Sequence, residues 1–191
     1  MFVGGTMNKP YETMRRFWMD ATNLKHKQEV PLLGDKKICV AGVEMAALDK
    51  QGALKHILIV ASSLGNASVY FENNSPSGIG GFTGGGSNGP VKEAAQHLMQ
   101  AAADAGAQLP EVAQVSVNDN PAEVSLFALA ENAAVYAARV AETEVRKAEH
   151  PLYAFFAYTQ QLLGAFRAEQ EKAQTAASAT LKNSQETKME K

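Results

Sequence analysis

The chain contains a single cysteine, Cys39, so it cannot form an intramolecular disulfide. Its neighbours Ile38 and Val40 are apolar, which is typical of a buried cysteine and not of a nucleophile. The histidines lie in separate segments without the spacing of metal ligands: His26, His56, His97 and His150. The sequence therefore predicts neither a metal site nor a cofactor.

Long apolar runs are also missing. No segment approaches the roughly 18 apolar residues of a membrane span, and the first residues lack the basic region and apolar core of a secretory signal. We therefore expect a cytoplasmic protein that does not enter a membrane.

Neither sign of charge predominates, since 18 Lys and Arg residues stand against 20 Asp and Glu residues, and the basic excess in residues 1–37, seven Lys and Arg against four Asp and Glu, is mild. Nucleic-acid binders usually carry a large basic surface, so a nucleic-acid partner is not expected. The segment Arg15-Arg16-Phe17-Trp18 does mix basic and aromatic residues, as single-strand binders do. Single-stranded nucleic-acid binding is therefore a second alternative. The other interpretation of this segment is a helix that packs its aromatic side against the protein.

Catalytic motifs are absent from the sequence as well. It contains no H-E-x-x-H or G-x-S-x-G motif and no recognisable Ser-His-Asp arrangement. Glu44 and Glu72 are predicted on one sheet face, where paired carboxylates can act as acid and base or simply be solvated charges. His56 is predicted to be a core histidine on the opposite, apolar face. No catalytic residues are predicted, which favours a non-enzymatic protein.

What remains is the composition of a globular protein, with 46% hydrophobic and 20% charged residues. We predict an α+β fold in which an antiparallel sheet, a three-stranded meander plus a fourth strand, packs with helices and ends in a long helical hairpin. Residues 1–173 form one domain, and the polar tail 174–191 is disordered. The predicted elements are helix 11–25, meander 37–72, glycine-rich loop 75–89, helix 90–105, strand 113–118 and helices 121–149 and 151–173.

Two turns predict the register of the meander. Asp49-Lys50-Gln51-Gly52 has turn chemistry and would pair Leu48 with Ala53, which places Met45 opposite His56. Gly65-Asn66 reads as a two-residue hairpin loop and would place Val60 opposite Phe71. One face of the sheet then carries the core: Cys39, Ala41, Val43, Met45, Leu54, His56, Leu58, Val60, Val69 and Phe71.

The segment 121–149 permits two interpretations. Asn120-Pro121-Ala122-Glu123 resembles a helix N-cap with a first-turn proline, and the Ala-rich run after it lacks Gly and Pro. A strand over 123–130 is the rival interpretation, and we prefer the helix because of the cap and the length of the run.

The glycine-rich segment 75–89 lies between a predicted strand and a predicted helix, where exposed N–H groups can bind an anion. It lacks the Lys-Ser/Thr pair of a P-loop. Gly78-Ile79-Gly80 resembles the pyrophosphate loop of GNAT-type acetyltransferases, with Ser75 where that family has a basic residue or Gln. That resemblance implies CoA binding. The residues that would hold a phosphorylated ligand, nucleotide or CoA are Gly78, Gly80, Gly81, Phe82, Thr83, Gly84, Gly85, Ser87 and Asn88.

The last predicted helices carry more large apolar residues than a thin sheet requires. A surplus apolar surface is typical of association, commonly of a symmetric homodimer. We therefore predict first a protein-interaction or regulatory module that binds a protein partner or itself, with ligand binding or group transfer at the glycine-rich loop as the alternative. The predicted interface residues are Leu152, Phe155, Phe156, Leu162, Leu163 and Phe166.

Overall fold

The central strands of the protein are buried on both faces, because helices cover both sides of one antiparallel sheet. The structure is a computed structural model and describes residues 9–20, 32–33, 35–75, 77–84 and 89–189. It confirms the predicted α+β class, with a larger sheet than predicted.

The elements follow the chain in the order α1, β1 to β5, α2, β6 to β8, α3 and α4. The strands are β1 (Leu32–Leu33), β2 (Lys36–Leu48), β3 (Leu54–Ser62), β4 (Ala67–Glu72), β5 (Ile79–Gly84), β6 (Glu111–Val112), β7 (Glu123–Ala130) and β8 (Val135–Ala141). The helices are α1 (Lys9–Met19), α2 (Gly89–Asp104), α3 (Glu142–Val145) and α4 (Tyr153–Met189).

All neighbouring strands are antiparallel, in the order β5-β4-β3-β2-β7-β8-β6, with the short β1 paired to β2. Helices α2 and α4 cover one face, which we call the α2/α4 face. Helix α1 covers the other, the α1 face, together with Val115 from the segment after β6. The strands at the two edges of the sheet are β5 and β6.

The predicted meander is correct, but its register is not. The Asp49 carboxylate accepts hydrogen bonds from the Gln51 and Ala53 amides, so Ala53 belongs to the turn and Leu48 pairs with Leu54. The second turn is longer than two residues, because Ser62 N–H already donates to the Asn66 carbonyl.

These shifts of register redistribute the side chains between the two faces. Val43 lies opposite Ile59, which faces Val69 on β4, and all three belong to the α2/α4 face. Leu58 and Val60 pack on the α1 face. The single predicted core face therefore combined residues from both sides of the sheet.

The predicted helix 121–149 is wrong, and the rival strand at 123–130 is correct. Residues 123–130 form β7, which pairs with β2 inside the sheet and is buried almost throughout. Glu123 N–H donates to the Asn120 carbonyl in a turn that only resembles a helix cap. A continuous apolar run suits a buried strand as well as a helix, so tertiary pairing decided between them.

The other boundaries differ in detail. Helix α2 confirms the predicted helix 90–105. The predicted helix 11–25 corresponds to α1, which ends at Met19. Residues 21–25 of that prediction, and residues 26–31 after it, lie outside the described residues. Residues 113–118 are not a strand.

The predicted C-terminal helical hairpin is also wrong. The segment predicted as its first helix contains the β7–β8 hairpin, and of the two predicted long helices only α4 is present. The predicted disordered tail 174–191 continues α4 as far as Met189. Among the helices of the described residues, none combines the length and apolar character needed to cross a membrane.

A first prediction concerns Phe155, which is 1% exposed in the core between the sheet and α2. Phe155→Ala should lower the free energy of unfolding by about 3–5 kcal/mol, because the ring leaves a cavity. Tyr153→Ala, on the same helix but 38% exposed, should change it by about 0.5 kcal/mol or less. Urea denaturation of both variants measures the difference, and equal effects would contradict the burial of Phe155.

Candidate functional site

Most of the described residues of the glycine-rich segment 75–89 form a strand. Residues 79–84 are extended as β5 and pair with β4, from Glu72 opposite Ile79 to Ala67 opposite Gly84. Gly78 lies in the preceding turn with φ of 70°. An extended strand directs alternate N–H groups to opposite sides, so it does not wrap them around one anion.

The predicted ligand residues that follow Gly78 thus separate into two groups. Gly80, Gly81, Phe82, Thr83 and Gly84 belong to the strand, whereas Gly85, Ser87 and Asn88 lie outside the described residues. Anion binding at the connection to α2 stays a prediction.

The glycines allow β5 to approach β4 closely. A Cβ atom at Gly80 would lie 2.4 Å from the ring of Phe71, and one at Gly81 would lie 2.3 Å from the Val69 carbonyl oxygen. Side chains at these two positions would push the strands apart. The glycines therefore serve strand packing.

Phe82 anchors β5 to the core. Its ring centre lies 6.1 Å from that of Phe166 in a stacked arrangement and 6.2 Å from that of Phe71. One large side chain thus attaches β5 to the core of the protein.

The outer edge of β5 carries backbone groups that point away from the sheet. Asn73 N–H donates to the Gly78 carbonyl over 3.2 Å, while Gly78 N–H donates to the Ser75 carbonyl. The first bond lies in the register of the β4–β5 ladder and shows that position 73/78 is of the hydrogen-bonded kind. Hydrogen-bonded pairs alternate along an antiparallel ladder, so Gly80, Phe82 and Gly84 bond to β4. The N–H and C=O groups of the intervening residues then point outward: Ile79, Gly81 and Thr83.

The opposite edge of the sheet is occupied differently. The two-residue strand β6 pairs with the start of β8, and the Pro110 carbonyl accepts from Ala137 N–H. Further along β8, the Arg139 guanidinium donates to the carbonyls of Ser116 and Val117. Chain and side chain thus lie against this edge. On the outer edge of β5 the Ile79 carbonyl accepts from the Ser77 hydroxyl over 3.0 Å, which leaves one of its lone pairs for another donor, and no described residue forms a backbone hydrogen bond to the outward groups.

The predicted interface residues are internal. Leu152, Phe155, Phe156, Leu162 and Phe166 are at most 5% exposed and pack in the core of the α2/α4 face, with Leu163 partly buried beside them. The apolar surplus of α4 is therefore used to cover the protein's own sheet. Any interaction surface of the described residues must lie elsewhere.

A buried ion pair lies beneath α1. The Glu44 carboxylate is fully buried on β2 and accepts from Arg15 Nε over 2.7 Å and from Arg15 Nη2 over 3.1 Å. The Tyr11 hydroxyl donates to the same carboxylate over 3.2 Å, and Arg15 also donates to the Val115 carbonyl. This set of bonds compensates the desolvation of Glu44.

His56 and Glu72 form a second cluster on the same face. Glu72 accepts from the His56 backbone N–H, and its Oε2 lies 2.7 Å from His56 Nδ1. His56 Nε2 lies 3.2 Å from Asp119 Oδ1, at the surface. The predicted solvated face for Glu44 and Glu72 is therefore wrong, although the two residues do share a face.

The His56 cluster is closed to substrates. Carboxylates contact both ring nitrogens, and the side chain is 1% exposed, so a reacting molecule reaches it only if Asp119 moves. The arrangement can pass a proton between the surface and Glu72, but it offers no open position for chemistry. We interpret it as structural.

The remaining candidate residues also have structural roles. The Cys39 thiol donates to the Leu129 carbonyl, and burial raises the pKa of Cys39 to about 11, which keeps the thiol protonated. His150 Nδ1 accepts from the Leu152 amide near the start of α4 and so acts as a cap there. Within the described residues, no three His, Cys, Asp or Glu side chains come together as a metal site.

The basic residues predicted for nucleic-acid binding are partly engaged. Arg15 is held by Glu44, and Arg16 pairs with Glu12 on the surface of α1.

A small pocket of about 210 Å³ opens on the α1 face between residues 112–116 and β8. Its one charged side chain, Arg139, donates to Ser125 Oγ and to two backbone carbonyls. Because these bonds already engage its guanidinium, Arg139 is not available to bind a ligand in this pocket.

Comparison with known proteins adds no assignment: no family model, no curated protein and no solved structure matches the chain. The function must therefore be argued from the geometry.

Sequence reasoning missed two features of these sites. Ile79 was left out of the candidate residues, although Ile79, Phe82 and Thr83 within the glycines are typical strand formers. The cross-strand pair of His56 and Glu72 was hidden by the predicted register, which placed the two residues on opposite faces. The hydrogen bonding of Asp49 in the first turn was the available signal for the correct register between β2 and β3.

A second prediction concerns the buried ion pair. Arg15→Met should lower the free energy of unfolding by about 3–5 kcal/mol, because it leaves the Glu44 carboxylate buried without a counter-charge. Arg16→Met, one residue further along α1 and paired at the surface, should cost about 1 kcal/mol or less. Chemical denaturation at neutral pH compares the two variants. An equal decrease in the free energy of unfolding would contradict a larger contribution from the Arg15–Glu44 pair than from the surface pair.

A third prediction follows from Tyr11. Burial, and then the Glu44 charge, raise the pKa of Tyr11 well above its usual 10.0. Above pH 10 the unfolded chain ionises this tyrosine while the folded protein keeps it neutral, so stability falls as pH rises. Unfolding midpoints between pH 8 and 11 should therefore fall less steeply in Tyr11→Phe than in the wild type.

Tyr153→Phe, which alters an exposed tyrosine, is the control and should retain the wild-type slope. Part of the slope should persist in Tyr11→Phe, because burial also raises the pKa values of Tyr136 and Cys39. An identical slope in wild type and Tyr11→Phe would contradict the conclusion that Tyr11 contributes to the loss of stability at alkaline pH.

Proposed function

We propose that the chain is a protein-interaction module that binds an extended segment by adding it as a strand to the outer edge of β5. The observation that carries this proposal is the outward-pointing row of backbone groups on Ile79, Gly81 and Thr83. Strand addition takes its affinity from main-chain hydrogen bonds of this kind.

The composition of β5 supports the proposal. Its six residues include no charged residue and no proline, although proteins commonly protect exposed edges with Lys, Pro or a bulge. The pairing between β4 and β5 is regular from end to end. An edge without these protections is suited to accept a further strand.

The anchoring of β5 supports it as well. Phe82 contacts Phe71 and Phe166, which holds the strand extended before any binding occurs. A preorganised strand loses little conformational freedom on association, so more of the hydrogen-bond energy appears as affinity. Gly81 has no side chain that could hinder the approach of another backbone.

A fourth prediction tests the edge through Thr83, which is exposed and whose N–H points outward. Thr83→Pro removes that N–H without removing a bond to β4, so it should weaken binding at least tenfold and leave the protein folded. Thr83→Val retains the N–H and the strand preference and should bind as the wild type does.

The measurement is selection of a displayed library of random extended peptides, together with sedimentation velocity over a concentration series to detect self-association. Loss of peptide binding or self-association in Thr83→Pro, but not in Thr83→Val, supports the proposal. Equal association of all three proteins, or no association of any kind, overturns it. Circular dichroism confirms that the variants are folded.

A further inference from the structure

We infer that the strand that adds to β5 is β5 of a second copy of the chain, antiparallel to the first and related to it by a two-fold axis at Gly81. This inference rests on the proposed function, since it names the occupant of the same edge.

The spacing of the outward groups selects this register. In an antiparallel pair, residues that exchange both hydrogen bonds lie directly opposite each other. Centring the pair on Gly81 places Ile79 opposite Thr83 of the second copy, and Gly81 opposite its own equivalent. All three outward residues of each β5 then form hydrogen bonds to outward residues of the other β5. In any other antiparallel register, at most two of the three find such a partner in the second β5.

The side chains fit the same register. On the α1 face, Ile79 meets Thr83 of the second copy, and paired β-branched residues are favourable neighbours in sheets. At the axis two glycines meet, so no side chains collide. On the α2/α4 face, Phe82 lies opposite Gly80 of the second copy, which offers no side chain against the ring.

Charge does not oppose the pairing. The strand is uncharged, and each copy has a net charge of −2, so repulsion between two copies is weak. A two-fold axis perpendicular to the sheet also keeps the faces in register. The α1 layer of one copy therefore adjoins the α1 layer of the other, and one sheet continues through both.

The experiment uses disulfide crosslinking, for which the chain is well suited because its one natural cysteine, Cys39, is buried. Two single variants of the full chain are made, Ile79→Cys and Thr83→Cys. Copper-phenanthroline with oxygen oxidises the two thiols to a disulfide, and a non-reducing gel detects the product.

The equimolar mixture should form a crosslinked dimer, because the two engineered cysteines lie opposite each other at about 5.5 Å between Cα atoms. Each single variant alone should crosslink far less. Identical positions in the two copies are four residues out of register, about 13 Å apart along the strand, which exceeds the reach of a disulfide.

Sedimentation velocity of the wild type, Thr83→Pro and Thr83→Val accompanies the crosslinking. We expect a wild-type dimer, the same dimer for Thr83→Val, and at least tenfold weaker association for Thr83→Pro. Crosslinking of each single variant as strong as that of the mixture would overturn the register about Gly81, and so would a dimer whose mixture does not crosslink.

Failure of the inference can be distinguished from failure of the proposed function. A wild type that stays monomeric but binds library peptides in a manner abolished by Thr83→Pro overturns self-pairing and leaves strand addition intact. A dimer that is unchanged by Thr83→Pro, with no edge-dependent peptide binding, overturns both.

Discussion

The pairing of β2 with strands on both of its sides is the constraint on which the rest of the structure depends. Residues 40–48 of β2 bond to β3, its neighbour in sequence, and residues 38–45 bond to β7, which follows some 80 residues later. Both rows of its backbone groups are therefore satisfied inside the protein, and its side chains can be apolar on both faces. The helices then have two apolar faces to cover: α2 and α4 pack on one, and α1 on the other.

The buried carboxylates of the described residues, Glu44 and Glu72, help to hold this arrangement together. Glu44 lies on the central strand without access to water and is compensated by Arg15 and Tyr11, which places α1 in one position across the sheet. Apolar contacts alone would allow neighbouring positions of the helix, whereas an ion pair with defined geometry does not. His56 and Glu72 occupy the same face and are engaged with each other. The acid and base groups considered for catalysis are thus internal, whereas the outer edge of β5 has no backbone partner among the described residues.

Much of the local structure was predictable because local chemistry specifies it. The turns at Asp49 and near Gly65, the meander between 37 and 72 and the start of α2 at Pro90 were all recognised from a few adjacent residues. Register was not, because one additional residue in a turn moves every later side chain to the opposite face. The segment 123–130 was interpreted as a helix for a similar reason, since its helix-like cap and Ala-rich sequence are local signals, while its place beside β2 depends on residues far away in the chain.

The sequence by itself determined the class of the fold, the positions of most turns, the burial of Cys39 and the presence of an uncharged, glycine-rich segment after the meander. The tertiary structure decided that residues 79–84 of this segment are a strand, that the phenylalanines of α4 face inward, and that Glu44 is paired with Arg15. The physical reason is the range of the forces involved. Propensities and turn bonds act over a few residues, whereas a glycine-rich segment becomes a strand only when a neighbouring strand supplies hydrogen bonds and a core receives Phe82.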